Sequence, residues 1–219
     1  MNAKKLQGTQ RRQQIIDNAA RLFALYGIDG TSMRNLAHAC ECNEALLYKH
    51  FSSKEELFEE VIGDVKRRVT DEWVKVSDSE AAGYEAVQRI TDSILNGAFD
   101  GVNVYAFMVQ WMAASLRNPD ISPIVHGIFG ELYGILKVSM EKGMSDGSIS
   151  QDANPARCAW CIICRGIATS VIGALSPADP KIPAESERLS DYLLECIRPG
   201  HSDENCDPDG FFPQLSDLE

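Results

Sequence analysis

Two very short amphipathic segments separated by a tight turn lie within residues 31–58, and they constrain the fold more than any other part of the chain. Thr31 or Ser32 can cap a first short helix, and Asn43 can cap a second that runs to Phe51. Both are well below the roughly 12 to 15 residues at which isolated helices become marginal. They therefore require stabilisation by neighbouring helices.

Longer amphipathic helices are predicted on both sides of this pair. Upstream, apolar residues recur at helical spacing between Thr9 and Gly27, a residue type that often ends a helix. Downstream, Ser52 and Ser53 each stand three residues before a Glu, which is capping-box spacing, and an apolar helical series begins at Leu57. The order long, short, turn, short, long is the outline of a helix-turn-helix, a motif that reads DNA.

The same stretch resembles the TetR family of bacterial transcriptional regulators over about 50 residues. The matching residues, in the family's order and spacing, are Ile16, Ala19, Ala20, Phe23, Gly27, Thr31, Ser32, Met33, Leu36, Ala37, Leu47, Tyr48, His50, Phe51, Lys54 and Leu57. The resemblance implies phosphate contacts from Arg34, Lys49 and Lys54, and a fixed approach to the DNA backbone from Tyr48 and His50. The complete set of predicted DNA-binding residues is Thr31, Ser32, Met33, Arg34, Asn43, Glu44, Ala45, Leu46, Tyr48, Lys49, His50 and Lys54.

Three positions depart from the usual family pattern. Glu41 stands where the turn often carries Gly, Ala45 where the reading helix often has Gly, and Leu46 where a small or hydroxyl residue is common. By resemblance, Glu44, Ala45 and Leu46 face base edges. Leu46 can touch a thymine methyl group but cannot hydrogen-bond a base, so readout is expected to lean on shape and phosphate contacts.

The charge of the chain is divided between its two ends. The 219 residues carry a formal net charge of -11, which would disfavour a polyanionic partner if it were evenly spread. Residues 1–50, however, have seven basic and four acidic residues, or +3, and the remainder carries -14. A basic head on an acidic body directs attraction for phosphate to one end.

The fold class is predicted to be all-α, with a three-helix N-terminal helix-turn-helix domain and a larger C-terminal helical domain for ligand binding and dimerisation. The expected units are residues 1–52 (with the motif at about 32–51), residues 53–198, and an acidic, disordered tail at 199–219. Body helices are predicted at 53–76, 80–98, 103–117, 121–143, 154–175 and 183–197, with breaks at Gly101, Asn118-Pro119, Gly147, Pro155, Pro177, Pro180 and Pro183.

A homodimer is expected, because helix-turn-helix regulators read palindromic half-sites about 34 Å apart. The family resemblance assigns the subunit contact to the last two long helices. The helix at 154–175 is apolar nearly all round, which is also typical of a helix fully buried within one chain. The predicted contact residues are Gly166, Ala168, Ser170, Gly173, Leu189 and Leu193.

Large adaptable side chains are concentrated in the middle helices, where the family generally houses a small-molecule effector. The predicted ligand-binding residues are Tyr105, Phe107, Met108, Trp111, Met112, Phe129, Tyr133 and Trp160. Such residues also commonly form a core without a cavity. The segment 105–119 resembles the branch of the family that includes choline-responsive repressors, in which Trp111 and Trp160 would face a cationic effector. Gly166 stands where that branch would need an acidic partner, so the sequence does not favour a cation.

The seven cysteines, without a secretory signal or a membrane span in the sequence, indicate free thiols and a cytoplasmic location. Cys158, Cys161 and Cys164 share one helical stripe, which suits packing and also thiolate ligation, whereas Cys40 and Cys42 flank the turn. No metal and no cofactor other than an unidentified effector are expected. His38, His50 and His126 have no partner at ligand spacing.

The function predicted from these features is a DNA-binding transcriptional regulator, a repressor that a small-molecule effector releases from its operator. An enzyme is not expected, because the sequence has no Gly-rich phosphate loop, nucleophile elbow or paired metal motif. The alternative is a protein of the same fold that has lost or altered its DNA binding. Such a protein would act through protein contacts or as a thiol-based sensor.

Overall fold

The computed structural model describes residues 8–79, 81–96, 98–99, 102–116, 119–175 and 191–200, with side chains described outside 95–106, 170 and 173–175. Its helices are α1 (Gly8–Gly30), α2 (Met33–Ala39), α3 (Glu44–His50), α4 (Lys54–Ser77), α5 (Gly83–Asn96), α6 (Val104–Ser115), α7 (Ser122–Asp146) and α8 (Pro155–Leu175). Residues 191–195 are also helical. None of the helices in these ranges combines the length and apolarity that crossing a bilayer requires.

The all-α prediction is confirmed, with one short addition. Between α5 and α6, strands β1 (Ala98–Phe99) and β2 (Val102–Asn103) pair antiparallel. Four residues offer no period-2 pattern, which explains why this pair was not predicted. The predicted breaks at Pro177, Pro180 and Pro183 lie outside the described residues, as do positions 183–190 of the last predicted helix and 201–219 of the tail.

Local hydrogen bonds at the helix N-termini account for the short helices of the motif. The side chains of Ser32 and Asn43 accept the backbone N–H groups of Asn35 and Leu46, at 3.1 and 2.9 Å. At the start of α4, Ser53 Oγ accepts the N–H of Glu56 at 3.0 Å. Each such cap contributes about 1 kcal/mol, so the predicted capping residues are confirmed.

Gly27 interrupts α1 with a left-handed φ of 69°, as its predicted helix-ending role requires, although helical residues resume as far as Gly30. A Cβ atom at this position would lie 2.9 Å from Gln110 Oε1 of α6. Glycine therefore serves two purposes here: it tolerates the positive φ, and it lets α6 approach α1 closely.

Buried apolar side chains form two clusters. The first, which we call the head core, contains Phe23 of α1, Leu47 of α3 and Phe58 of α4, and it continues into Phe107 of α6 and Val125 of α7. The second, the body core, is formed mainly by α5, α7 and α8. The head core therefore extends well beyond the helix-turn-helix, and α4 runs from one cluster to the other.

The start of α5 and the end of α7 pack backbone against backbone. A Cβ atom on Gly83 would lie 2.0 Å from the backbone nitrogen of Gly143. Asp146 closes the contact by accepting the N–H groups of Gly83 and Ser148, at 2.8 and 2.9 Å, and these hydrogen bonds lower the pKa of its carboxyl.

Candidate nucleic-acid interface

The turn between α2 and α3 is closed by a Schellman motif. The N–H of Glu41 donates to His38 O at 3.1 Å, and the N–H of Cys42 donates to Ala37 O at 2.9 Å. Glu41 takes a left-handed φ of 50° at the position where this motif favours Gly. The turn therefore takes a conformation that glycine favours, with a glutamate in its place.

Helix α3 is anchored by one buried residue and presents the others to solvent. Leu47 is fully buried, whereas Leu46 and His50 are partly exposed. The exposed positions of the helix are Glu44, Ala45, Tyr48 and Lys49. This exposure is what a helix needs in order to enter a groove of DNA.

A cleft of about 460 Å³ opens between the N-terminal ends of α2 and α4 and the outer face of α3. It is lined by Ser32, Met33, Arg34, Glu44, Tyr48, Ser52, Ser53, Lys54 and Glu55. Six of the twelve predicted DNA-binding residues thus lie around one opening. The N–H groups and the dipole at the start of the long helix α4 favour an anion there.

The basic side chains of the motif make no ion pair with the described acidic residues. Within the described part of the chain, Arg34, Lys49 and Lys54 make no ion pair, whereas Lys66 of α4 pairs with Glu131 of α7. Glu56 accepts hydrogen bonds from Ser52 Oγ and N at 2.5 and 2.6 Å, which lower its pKa. The three free cations are therefore available to phosphate.

Two of the predicted DNA-binding residues have a structural role. Thr31 is buried and donates from Oγ1 to Gly27 O at 2.8 Å, so it closes the end of α1. Its hydroxyl is enclosed and engaged, which does not favour the predicted DNA contact of the Thr31 side chain. Met33 is also buried; it belongs to the head core and lines the cleft from α2.

A buried polar network between α1 and α4 supports the motif from behind. Asp64 of α4 is 5% exposed and accepts hydrogen bonds from Gln13, Arg67 and Arg68, while Arg68 also bonds Asp17 of α1. The sequence analysis missed this network. The spacing of Asp64 from Arg67 and Arg68 on α4 was its local signal, whereas the partners Gln13 and Asp17 come from α1.

The predicted effector residues do not form one cluster. Phe107 and Trp111 are buried in the head core, where edge-to-face ring contacts connect them to Phe58 and Phe23. The ring centroids lie 4.7 Å apart for Trp111 and Phe107, 6.1 Å apart for Phe107 and Phe58, and 5.1 Å apart for Phe58 and Phe23. Two of the predicted ligand residues thus connect α6 directly to the DNA-binding head.

The other predicted effector residues are placed differently. Trp160 is 51% exposed and lies on the ring of Tyr133 at 5.5 Å, so it packs at the surface and does not line a buried cavity. Phe129 contacts both cores, and Met108 and Met112 are partly exposed. The side chain of Tyr105 lies outside the described residues.

The indole nitrogen of Trp111, Nε1, is buried without a hydrogen-bond partner among the described residues. The residue as a whole is 4% exposed. Trp73, the other buried Trp, donates its Nε1–H to Ser93 Oγ at 3.4 Å. An unpaired buried donor costs roughly 1–3 kcal/mol.

The predicted dimer residues divide between the inside and outside of the chain. Gly166 is buried, and a Cβ atom there would lie 2.7 Å from Ile94 Cγ2 of α5, so this glycine serves packing within the chain and not the predicted subunit contact. Ala168 is exposed and Leu193 is partly exposed. Leu189 and the side-chain environments of Ser170 and Gly173 lie outside the described residues. The outward stripe of α8 consists of Trp160, Cys164, Ala168 and Ile172.

Burial disfavours the thiolate form at four of the described cysteines. Burial raises the pKa of Cys40 to about 11, and it also raises the pKa values of Cys42, Cys158 and Cys161. No three His, Cys, Asp or Glu side chains in the described ranges are grouped to hold a metal ion. Cys196 is in a disulfide, so the prediction of free thiols is wrong for this residue.

Comparison with known proteins agrees with this geometry. The model of bacterial regulatory proteins of the tetR family matches residues 15–61, from the middle of α1 into α4. The transcriptional repressor KstR2 of Rhodococcus jostii is 30% identical over 149 residues, which cover 65% of this chain and 69% of that protein. The regulator UidR of Escherichia coli is 24% identical over 156 residues, which cover 71% of this chain and 78% of that protein.

A solved structure extends the similarity to the body. A transcriptional regulator from Saccharomonospora viridis, in complex with choline, has a TM-score of 0.76 over 87% of this chain and 98% of its own. At 18% identity this likeness shows a shared fold alone. Together, the helix-turn-helix and its relatives establish that the chain belongs to the TetR family of bacterial regulatory proteins and is a DNA-binding transcriptional regulator.

Proposed function

We propose that this protein is a homodimeric repressor that binds a palindromic operator and leaves it when a small molecule binds the body. The observation that carries the proposal is the cleft beside α3. Arg34 and Lys54 line it, neither pairs with an acid among the described residues, and it opens at the N-terminal end of α4. A DNA phosphate bound beside these two cations would also gain from the dipole of α4, while Glu44 and Glu55 are the opposing charges of the lining.

Similarity to a known repressor favours repression over activation. KstR2 of Rhodococcus jostii, 30% identical, is a transcriptional repressor. A repressor needs only to occupy DNA, and so it requires no further surface for contact with another protein. The predicted function therefore needs nothing beyond the reader and a means of release.

A second copy of the chain is proposed to pack on the outward stripe of α8. Trp160 and Ile172 are 51% and 44% exposed, which is unusual for large apolar side chains on a helix that also packs inward. A two-fold dimer through this stripe would bury them and would give two readers for two half-sites.

Release is proposed to act through α6 and α4. An effector that shifts α6 would move Trp111 and, through it, Phe107, whose ring contacts the ring of Phe58 on α4 within the head core. Because packed cores adopt discrete arrangements, a small displacement there would reorient the reader helices.

The effector is proposed to carry a hydrogen-bond acceptor. Trp111 Nε1 is a buried donor with no partner among the described residues, and a ligand oxygen would relieve its desolvation. The Saccharomonospora viridis neighbour was solved with choline, which has a hydroxyl oxygen beside its cationic group.

The test is a binding titration of the purified full-length protein against the DNA upstream of its own gene, over a range of salt concentrations. A scrambled DNA of the same length is the control, and small apolar and cationic compounds are then added. Tight, salt-dependent binding that one compound releases is expected. Equal binding to both DNAs would overturn the proposal, and absence of binding would favour a protein that acts through protein contacts.

A further inference from the structure

The first turn of α3 offers one side-chain acceptor suited to reading a base. Ala45 and Leu46 have no polar side-chain atoms, and the acceptor of Asn43, its Oδ1, is engaged by the N–H of Leu46 at 2.9 Å, which leaves Asn43 only its Nδ2 donors. Glu44 is exposed and makes no ion pair or hydrogen bond within the described part of the chain. In helix-turn-helix proteins, the N-terminal residues of the second helix contact base edges.

The chemistry of a carboxylate limits which of the four bases it can recognise. Carboxylate oxygens only accept hydrogen bonds, whereas guanine and thymine present only acceptors and a methyl group in the major groove. Adenine presents a donor at N6, but its N7 acceptor lies beside that donor and would repel the second oxygen. Cytosine presents the N4 amino group with no acceptor on the major-groove edge of the same base, so it is the base that suits Glu44.

The surroundings of Glu44 make this negative charge compatible with DNA. Arg34 and Lys54 line the same cleft and offset the charges of its two carboxylates, Glu44 and Glu55. Ala45, the next exposed residue, offers an apolar surface that suits the methyl group of a thymine.

We propose that Glu44 determines specificity at one position of each operator half-site by accepting a hydrogen bond from cytosine N4, with Ala45 against a neighbouring thymine. This inference rests on the proposed function, because it requires the protein to read a DNA sequence. Glu44 is then a readout residue, and the cations of the cleft hold the backbone without choosing the base.

The test is selection of bound sequences from a random double-stranded library by the full-length protein and by E44Q, E44A and E55Q. Wild type is expected to enrich a palindrome with a C·G pair at a fixed place in each half. E44Q should change that pair to A·T, because glutamine pairs with adenine N6 and N7, and E44A should lose the preference there. Glu55 lines the same cleft from α4, so E55Q removes an equal charge and should retain C·G.

A second measurement uses chemically altered DNA and so does not depend on a variant. Replacing the selected cytosine by N4-methylcytosine should weaken wild-type binding about tenfold and leave E44A nearly unaffected, as expected for a direct contact. Identical motifs for wild type and E44Q would overturn the inference while leaving the proposed function intact. DNA binding by wild type without any enriched motif would instead refute sequence-specific readout, and with it the proposed function.

Discussion

At the scale of single residues, Glu41 holds a backbone conformation that favours glycine. Its φ of 50° closes the Schellman motif of α2, and a left-handed L-residue costs roughly 1–2 kcal/mol. Glu41→Gly should therefore raise the free energy of unfolding by about 1 kcal/mol, since part of the gain is lost to the greater freedom of glycine in the unfolded chain. Urea denaturation measures this change. Glu41→Ala removes the same charge but retains the strain, so an equal gain in both variants would disprove the backbone explanation.

Lys49 tests the phosphate contacts of the reader. It is exposed on α3 and makes no ion pair within the described chain. Lys49→Ala should weaken binding to all DNA sequences about equally and reduce the slope of log affinity against log salt by roughly one unit. Lys75, exposed in the last turn of α4, is the control, and Lys75→Ala should leave the slope unchanged. A change in sequence preference with Lys49→Ala would show that α3 is placed differently on DNA.

At the scale of helices, the contact between α5 and α7 depends on the absence of side chains. A Cβ atom on Gly83 would lie 2.0 Å from the backbone nitrogen and 2.3 Å from the Cα of Gly143, and backbone atoms cannot move aside cheaply. Gly83→Ala should therefore lower the free energy of unfolding by about 2–3 kcal/mol. Thermal or urea unfolding measures the loss.

Gly134 of α7 is the matched control for that substitution. Nothing lies within 4 Å of a Cβ atom at this position, so Gly134→Ala should be neutral or should stabilise the helix by up to about 1 kcal/mol. Similar losses in the two variants would mean that the close α5–α7 approach is not what Gly83 provides. Operator affinity of the folded fraction should be unchanged in both, because this contact lies in the body.

At the scale of the whole molecule, the ring contacts that begin at Trp111 join the body to the reader. Trp111→Phe retains an aromatic ring but removes the unpaired donor, so the free energy of unfolding should stay equal or rise slightly. Operator affinity without effector should change less than about twofold. The effector concentration that releases half of the DNA should increase about five- to tenfold, which is the loss of one hydrogen bond.

Trp73→Phe provides the comparison, because Trp73 is also buried but belongs to the body core and already has an acceptor. Its stability should fall, whereas its effector response, measured by the same release titration, should stay near that of wild type. An equal loss of response in both variants would indicate a general loosening of the body and not a contact at Trp111.

Local patterns made much of the molecule predictable. Ser32, Asn43 and Ser53 cap helices through residues only three positions away, so their role can be read from spacing alone. The bounds of the body helices were predicted within about three residues wherever they are described. Local capping and apolar periodicity do not depend on how distant segments pack.

Long-range contacts explain what could not be predicted. Asp64 accepts a hydrogen bond from Gln13 of α1 as well as from Arg67 and Arg68 of its own helix, and only the contact with α1 explains why a polar residue is buried there. The sequence predicted a subunit contact at Gly166. The structure shows that Ile94 of α5 already occupies the space beside this glycine, which the sequence of α8 alone does not reveal. These roles depend on which helix lies opposite.

The head core has a practical consequence for anyone who would exchange the reader of this protein for another. Phe107 and Val125 complete that core from α6 and α7, far along the chain from the helix-turn-helix. In a hybrid protein joined just after α3, the junction would fall within the packed head core and not in a linker. The grafted reader would then pack against side chains of α6 and α7 that fit a different reader. To make the body transferable to another reader, the faces of α6 and α7 that pack on the head core would have to be redesigned together with the graft.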